Sequence, residues 1–351
     1  MTHSLTARDV DLLQAAFHAH ADASAAWQRW RDGVDWDGPI DPVGFSLLPR
    51  ICRNLEALGV ADPLFPRFKG IARQAWVANQ RIKASIGEWT SALPSVEFMA
   101  LPPTSALFWD GSSIRGHGRW CHLAVRSEQA AFTIRSMLHR GWKMNGLRVP
   151  HKLIKGYVLG IGHIPLKHPD CDSLTVTWRL EHWFGAGSDE VWTNCTSGAL
   201  GGRSIRCMSQ TDALVFMLRQ PVGGDPLRWV SNVLSLSSPT VDWSRVRRSI
   251  AMQPLAHECA ALLPTVCRFI DAVHTTASAG QWPVAPADRV PVTLPIGSCW
   301  TRFHQDWSRY KTAWGSEYRL GRAIAQLPGY LMARWRMTSL AGLPQGLARW
   351  I

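Results

Sequence analysis

Six side chains that could ligate a soft metal or run thiol chemistry fall in one stretch of the chain: His117, Cys121, His122, His163, His168 and Cys171. Zinc is held by cysteine and histidine in tetrahedral sets, and a thiol becomes a nucleophile when a neighbouring imidazole takes its proton. The spacing argues against both uses. Cys121 and His122 are adjacent, so on a strand they point to opposite faces, and His168-x-x-Cys171 has no second matching pair. These residues read as packed or surface side chains. Two glycine-rich pieces, Gly198-Ala199-Leu200-Gly201-Gly202 and Gly160-Ile161-Gly162, invite a nucleotide-loop reading. Neither follows a strand and opens a helix in the way a phosphate loop requires, so both read as turns.

The elements that must position any chemistry are bounded by composition. A chain of 351 residues with 46% apolar content can bury a sizeable core, and its length suggests two or three structural units. No apolar run of about 18 residues marks a spanning helix. The opening MTHSLTARDV has no apolar region behind a basic start, so no secretory signal is visible and cytoplasmic residence is expected. Eight cysteines without a CxxC pair read as reduced, mostly buried thiols. The 19 tryptophans, against 4 tyrosines, read first as packing anchors. Net charge is +12, and residues 300–351 carry eight basic side chains against Asp306 and Glu317. Such a tail suits an acidic partner, nucleic acid or an anionic surface, and charge alone does not choose.

The patterning predicts an α+β fold: a small mixed sheet with helices, flanked by helical regions at both ends. Residues 1–93 read as a helical lead-in. Thr6 and Asp9 form a capping box ahead of Val10, Leu13 and Phe17, with Trp27 and Trp30 further along. Asp41 and Pro42 start a helix whose stripe is Leu47, Leu48, Ile51, Leu55 and Leu58, ended by Gly59, and a third helix runs from about Pro66 to Trp89. Residues 94–205 read as an α/β core. It holds strands at Ser95–Leu101 and Trp120–Val125, a short helix at Thr104–Trp109, and a helix at Ser127–Arg140 capped by Ser127 and closed by Gly141. Leu174, Val176, Trp178 and Leu180 alternate with polar residues as a half-buried strand. Residues 206–280 return to helices, at Asp212–Arg219, Leu227–Leu236 and Asp242–Val273. Residues 281–351 form a proline-rich connector and a basic tail, in which Trp300, Phe303, Trp307, Tyr310 and Trp314 make a helical aromatic stripe expected to face a core.

Several segments occur in a telling order. Leu47-Leu48-Pro49-Arg50 precedes Arg73, Trp76 and Asn79, then Leu101-Pro102-Pro103-Thr104, Trp120-Cys121-His122-Leu123-Ala124-Val125 and Gly141-Trp142. Thr175-Val176-Thr177-Trp178, Arg228-Trp229-Val230-Ser231-Asn232 and Asp242-Trp243 follow. This order resembles the large family of uncharacterised bacterial nucleotidyltransferases within the nucleotidyltransferase superfamily, and the likeness covers most of the chain. The family pattern puts a Leu-Lys-Gly-Ala turn at 101–104, Asp-x-Asp-x-x-Val at 120–125 and Asp-Leu-His-Trp at 175–178. Members of such families often lie in gene clusters for modified peptides or surface polysaccharides.

The departures from that pattern concern the chemistry. Nucleotidyl transfer needs carboxylates to hold the divalent ions that neutralise the triphosphate and align the attacking oxygen. Trp120, His122 and Thr175 stand at the three carboxylate positions. An indole cannot ligate Mg²⁺, and imidazole suits so hard an ion poorly. Pro102 and Pro103 also remove two backbone donors from the turn that would grip phosphate. The resemblance with these losses implies a pseudoenzyme that acts by binding a peptide, protein or small ligand. Its former cleft would be lined by Pro102, Pro103, Thr104, Trp120, His122, Thr175, Thr177 and Arg179, with Trp120 as roof or plug. No catalytic residue, metal or cofactor is then expected. The alternative is a divergent enzyme using Mg²⁺ and a nucleoside triphosphate, with Asp110, Asp170 or Asp172 as acids. A second alternative is binding of nucleic acid or an anionic surface by the tail.

Overall fold

The computed structural model describes residues 4–18, 22–109, 120–144, 149, 151–168, 171–200, 203–222, 225–238, 240–253, 255–273, 310 and 320–334. The fold is mixed α+β, and the chain divides into two compact units. The first draws on residues 1–84, 101–119 and 183–289, the second on 85–100, 120–182 and 290–351. The units interleave along the chain, whereas the composition shifts suggested consecutive segments broken at 93, 205 and 280. No described helix is long and apolar enough to cross a membrane.

Local capping explains the start of the first unit. In α1 (Ala7–Phe17) the Asp9 N–H donates to Thr6 Oγ1 at 3.1 Å and the Thr6 N–H donates to Asp9 Oδ2 at 2.9 Å, closing the reciprocal box. In α3 (Pro42–Ala57) Asp41 accepts from the Val43 and Gly44 N–H groups. The end is set by Gly59 at φ +75°, a conformation that side chains disfavour. Helix α2 (Asp22–Asp32) sends Trp27 and Trp30 inward, where they meet Trp36 and Phe68 at ring separations of 5.6 to 6.3 Å. Phe68 belongs to α4 (Phe65–Ala92), whose first twenty residues lie in this unit. Buried Asp62 accepts from the Trp27 indole, Arg31 and the Leu64 N–H. Burial works against its charge, but these donors outweigh it and hold Asp62 below the ordinary aspartate value.

The remaining helices of this unit are α5 (Ala106–Trp109), the second half of α8 (Glu181–Phe184), α9 (Ser188–Thr193), α10 (Gln210–Leu218), α11 (Pro226–Leu236), α12 (Trp243–Met252) and α13 (His257–Val273). Ser209, Asp225 and Asp242 cap α10, α11 and α12. The single helix expected over Asp242–Val273 is two helices, and Pro254 lies in the chain between them, where a missing N–H cannot continue the ladder. Strands β6 (Thr196–Leu200) and β7 (Arg203–Cys207) pair antiparallel, with two glycines between them in the chain. Gly198 is therefore a strand residue rather than part of a turn; a Cβ there would come within 2.7 Å of Phe108 Cβ and 2.8 Å of Cys207 Sγ.

In the second unit five strands lie in the order β3 (Lys143–Met144), β4 (His163–His168), β5 (Cys171–Thr177), β2 (Trp120–Val125) and β1 (Phe98–Ala100). Only β2 and β5 run parallel within this set. Helix α6 (Ser127–His139) follows β2 and is closed by Gly141 at φ +90°. Ser127 does not cap it, as its sequence position suggested; its hydroxyl donates to the Trp178 carbonyl at 2.8 Å. Helix α7 (Ile154–Gly160) takes in Gly160, another residue read as a turn, and packs against α14 (Leu320–Arg334). The Trp178 indole donates to the Val158 carbonyl at 3.2 Å, tying the end of β5 to α7. Of the aromatic stripe expected at 300–314, Tyr310 alone is described; it is fully buried, 4.7 Å from the Tyr330 ring of α14. The other four aromatic residues lie outside the described residues.

Candidate functional site

The parallel register of β2 and β5 brings the strand positions of Trp120, His122 and Thr175 together. Trp120 pairs with Ser173, His122 with Thr175, and Ala124 with Thr177. Side chains alternate along a strand, so His122 shares a face with Thr175 and Thr177 while Cys121, Leu123, Leu174 and Val176 take the other. The second face is core: Cys121 is 1% exposed, and Leu123, Leu174 and Val176 are fully buried. On the first face His122 Nε2 and Thr177 Oγ1 are 2.8 Å apart, and both residues are buried. A hydrogen bond that removes two polar groups from water together avoids the cost of leaving either unpaired. The site centre is thus a buried imidazole–hydroxyl pair flanked by half-buried Thr175. The backbone of Trp120 is placed in β2, but the surroundings of its side chain, and so the roof or plug, lie outside the described residues.

Arg179, expected to line the same face, is held by local partners. Its Nη2 donates to the Leu159 carbonyl at 2.6 Å, and its Nε lies 3.9 Å from Glu181. Gly162 lies against it: a Cβ at Gly162 would come 2.8 Å from His182 Cε1 and 3.1 Å from Arg179 Cβ. His163 and His182, nineteen positions apart in the chain, interact electrostatically beyond the end of β5. No sequence spacing signals their approach, because the β4–β5 pairing creates it.

Pro102, Pro103 and Thr104 fall in the first unit. The Pro102–Pro103 peptide is cis. Neither proline has an N–H to offer, and the donors of residues 105–108 are engaged within the turn. Ser105 donates to the Leu101 carbonyl at 2.9 Å, Ala106 to Pro103 at 3.2 Å, Leu107 to Thr104 at 3.0 Å and Phe108 to Ser105 at 3.0 Å. Thr104 is buried at 2% exposure. The two prolines thus offer a phosphate no backbone donor, and the N–H groups of residues 105–108 are bonded within the segment.

The remaining metal and acid candidates are dispersed. Cys121 faces away from His122, His168 packs its ring 5.3 Å from Trp142, and His163 is exposed. Asp110, His117 and Asp170 lie outside the described residues, as do the side chains of Cys171 and Asp172. Among the described residues no three His, Cys, Asp or Glu side chains stand close enough to hold a metal ion. The chain matches no protein-family model and no curated protein. The likeness to nucleotidyltransferases therefore rests on the order of the motifs.

Proposed function

We propose that this protein is a nucleotidyltransferase-fold pseudoenzyme that binds a peptide, a protein or a small ligand and transfers no nucleotidyl group. The observation that carries this reading is the buried His122–Thr177 pair at 2.8 Å on the face where the resemblance calls for metal-binding carboxylates. A carboxylate there would meet Mg²⁺ with hard, charged oxygen, whereas an imidazole bonded to a hydroxyl offers the ion nothing comparable. The turn at 101–108 supports the same reading, since Pro102 and Pro103 lack an N–H and those of residues 105–108 are bonded internally, so these six positions offer a triphosphate no donor. The basic segment 300–351 would help to hold an acidic partner. Membership of a biosynthetic gene cluster would supply a peptide ligand, and cytoplasmic residence fits such a role.

Calorimetric titration with ATP, GTP, CTP and UTP in Mg²⁺ or Mn²⁺, followed by incubation with labelled nucleotide, tests the reading. The expected result is no metal-dependent affinity in the micromolar range and no label transfer. Micromolar, metal-dependent binding that disappears in Asp110→Asn, Asp170→Asn or Asp172→Asn would overturn the pseudoenzyme reading in favour of an active, divergent enzyme.

A further inference from the structure

The outer face of α4 in the first unit joins cations with exposed apolar side chains. Between Phe65 and Gly87 the helix carries Arg67, Lys69, Arg73, Arg81 and Lys83 and no acidic residue. Its inner face buries Phe65, Phe68, Ile71, Ala75, Asn79 and Ile82, which fixes the opposite face toward solvent. Two of the cations are engaged: Lys69 pairs with Glu56 at 2.6 Å, and Lys83 lies over the Phe108 ring. Arg67, Arg73 and Arg81 are exposed and make no ion pair among the described residues. Between them stand Trp76 and Val77, 50% and 38% exposed. Only two other large apolar side chains are so exposed among the described residues, so the adjacency of this pair is a local feature of the face.

We infer that this face of α4 binds single-stranded nucleic acid, a role separate from the ligand site proposed above. An indole open to solvent beside arginine forks suits a polymer that alternates a π-face with a phosphate, because bases stack on the ring and guanidinium groups pair with phosphate oxygens. Six and eight residues separate the three arginines, or about 9 and 12 Å along the helix axis. Each interval corresponds to roughly three stacked nucleotides at about 3.4 Å apiece. A protein partner fits less well. A stable protein interface covers about 800 Å² per side around an apolar centre, and here two apolar residues stand among arginine and glutamine. The net charge of +12 draws any polyanion toward the molecule, and α4 supplies the unpaired forks on which it would settle.

Fluorescence anisotropy of labelled oligothymidine and oligouridine, titrated with the full chain at rising salt, tests this. Three phosphate contacts give a slope of about −2 for log affinity against log salt. Arg73→Glu with Arg81→Glu should weaken binding at least tenfold and flatten that slope. Trp76→Ala should cost about tenfold by loss of stacking while leaving the slope unchanged. All three side chains are exposed, so melting temperatures should match the parent, and Arg73→Lys with Arg81→Lys should keep the slope if the charge reversals perturb folding. The inference fails if the parent does not bind at about 50 mM salt, or if Arg67→Ala/Arg73→Ala/Arg81→Ala binds with the parent's slope. It also fails if an oligoglutamate of equal length binds more tightly than either oligonucleotide.

Discussion

Two contacts within the second unit are built on opposite principles. Where α7 meets α14, three glycines let backbone approach backbone. A Cβ at Gly156 would overlap the Gln326 carbonyl, one at Gly160 would lie 2.6 Å from Ala333 Cβ, and one at Gly329 would collide with the Leu153 carbonyl. The Gly156 N–H also donates to Gln326 Oε1 at 3.0 Å, and Gln326 Nε2 donates to the Lys152 carbonyl at 2.5 Å. Where β2 meets β5, the backbones pair in a regular parallel ladder and two polar side chains, His122 and Thr177, are buried against each other. The first contact depends on shape and tolerates no added atom. The second depends on a matched donor and acceptor and should tolerate any change that keeps both partners or removes both.

The largest effect should come from adding a single methyl group at the helix contact. Gly156→Ala has to push α14 off α7, exposing Tyr330, Leu331 and Met332, which are now at most 3% exposed. At about 1.5–3 kcal/mol for each large apolar side chain returned to water, the loss is on the order of 4 kcal/mol or more. Thermal melting and proteolysis around residues 310–334 would register it. A variant that melts and resists protease like the parent would show that the helices do not meet as described.

A smaller loss is expected at the strand pair. Thr177→Val keeps the side-chain shape and leaves His122 without its hydroxyl, which should cost about 1–3 kcal/mol. His122→Leu combined with Thr177→Val removes both polar groups and should recover part of that loss. If the double variant is less stable than the sum of the single ones, the pair is not the unit that the 2.8 Å contact implies.

The smallest effect sharpens the contrast by charging a buried pair. Asp62 in the first unit accepts from Arg31 and the Trp27 indole, and its value in the folded state is depressed. A depressed carboxylate contributes stability that is present above the unfolded-state value near 4 and is lost as pH falls through the lower folded value. Asp62→Asn should therefore cost about 1–2 kcal/mol at neutral pH, and its gap from the parent should close below about pH 4. A gap that stays constant from pH 7 to pH 3 would remove the ion pair from the account.

What could be read along the chain and what could not divide by range. The caps at Thr6, Asp41 and Asp242 each close through a backbone N–H two or three residues away, so residue type and spacing suffice to place them. Period two likewise separates Cys121 from His122 before any partner strand is known, which removes the thiol–imidazole reading. Most described tryptophans are packing anchors, as their abundance suggested; Trp27, Trp178 and Trp229 are no more than 4% exposed, and Trp76 departs because it lies outside the buried arc of α4. At the candidate site the sequence supplied the residue types and the tertiary structure supplied the neighbours. His122 and Thr177 are 55 positions apart and meet because β5 lies parallel to β2 in one particular register. The apolar alternation of β5 selects which of its faces turns to the core, but nothing local to β5 names β2 as the partner or sets which of its residues stands beside His122. The same dependence on distant partners explains why Ser127 serves the Trp178 carbonyl rather than its own helix. It also explains how glycines read as loop residues become the surface on which α14 lies. A glycine's local meaning is flexibility, and only a second backbone brought against it turns that freedom into close packing.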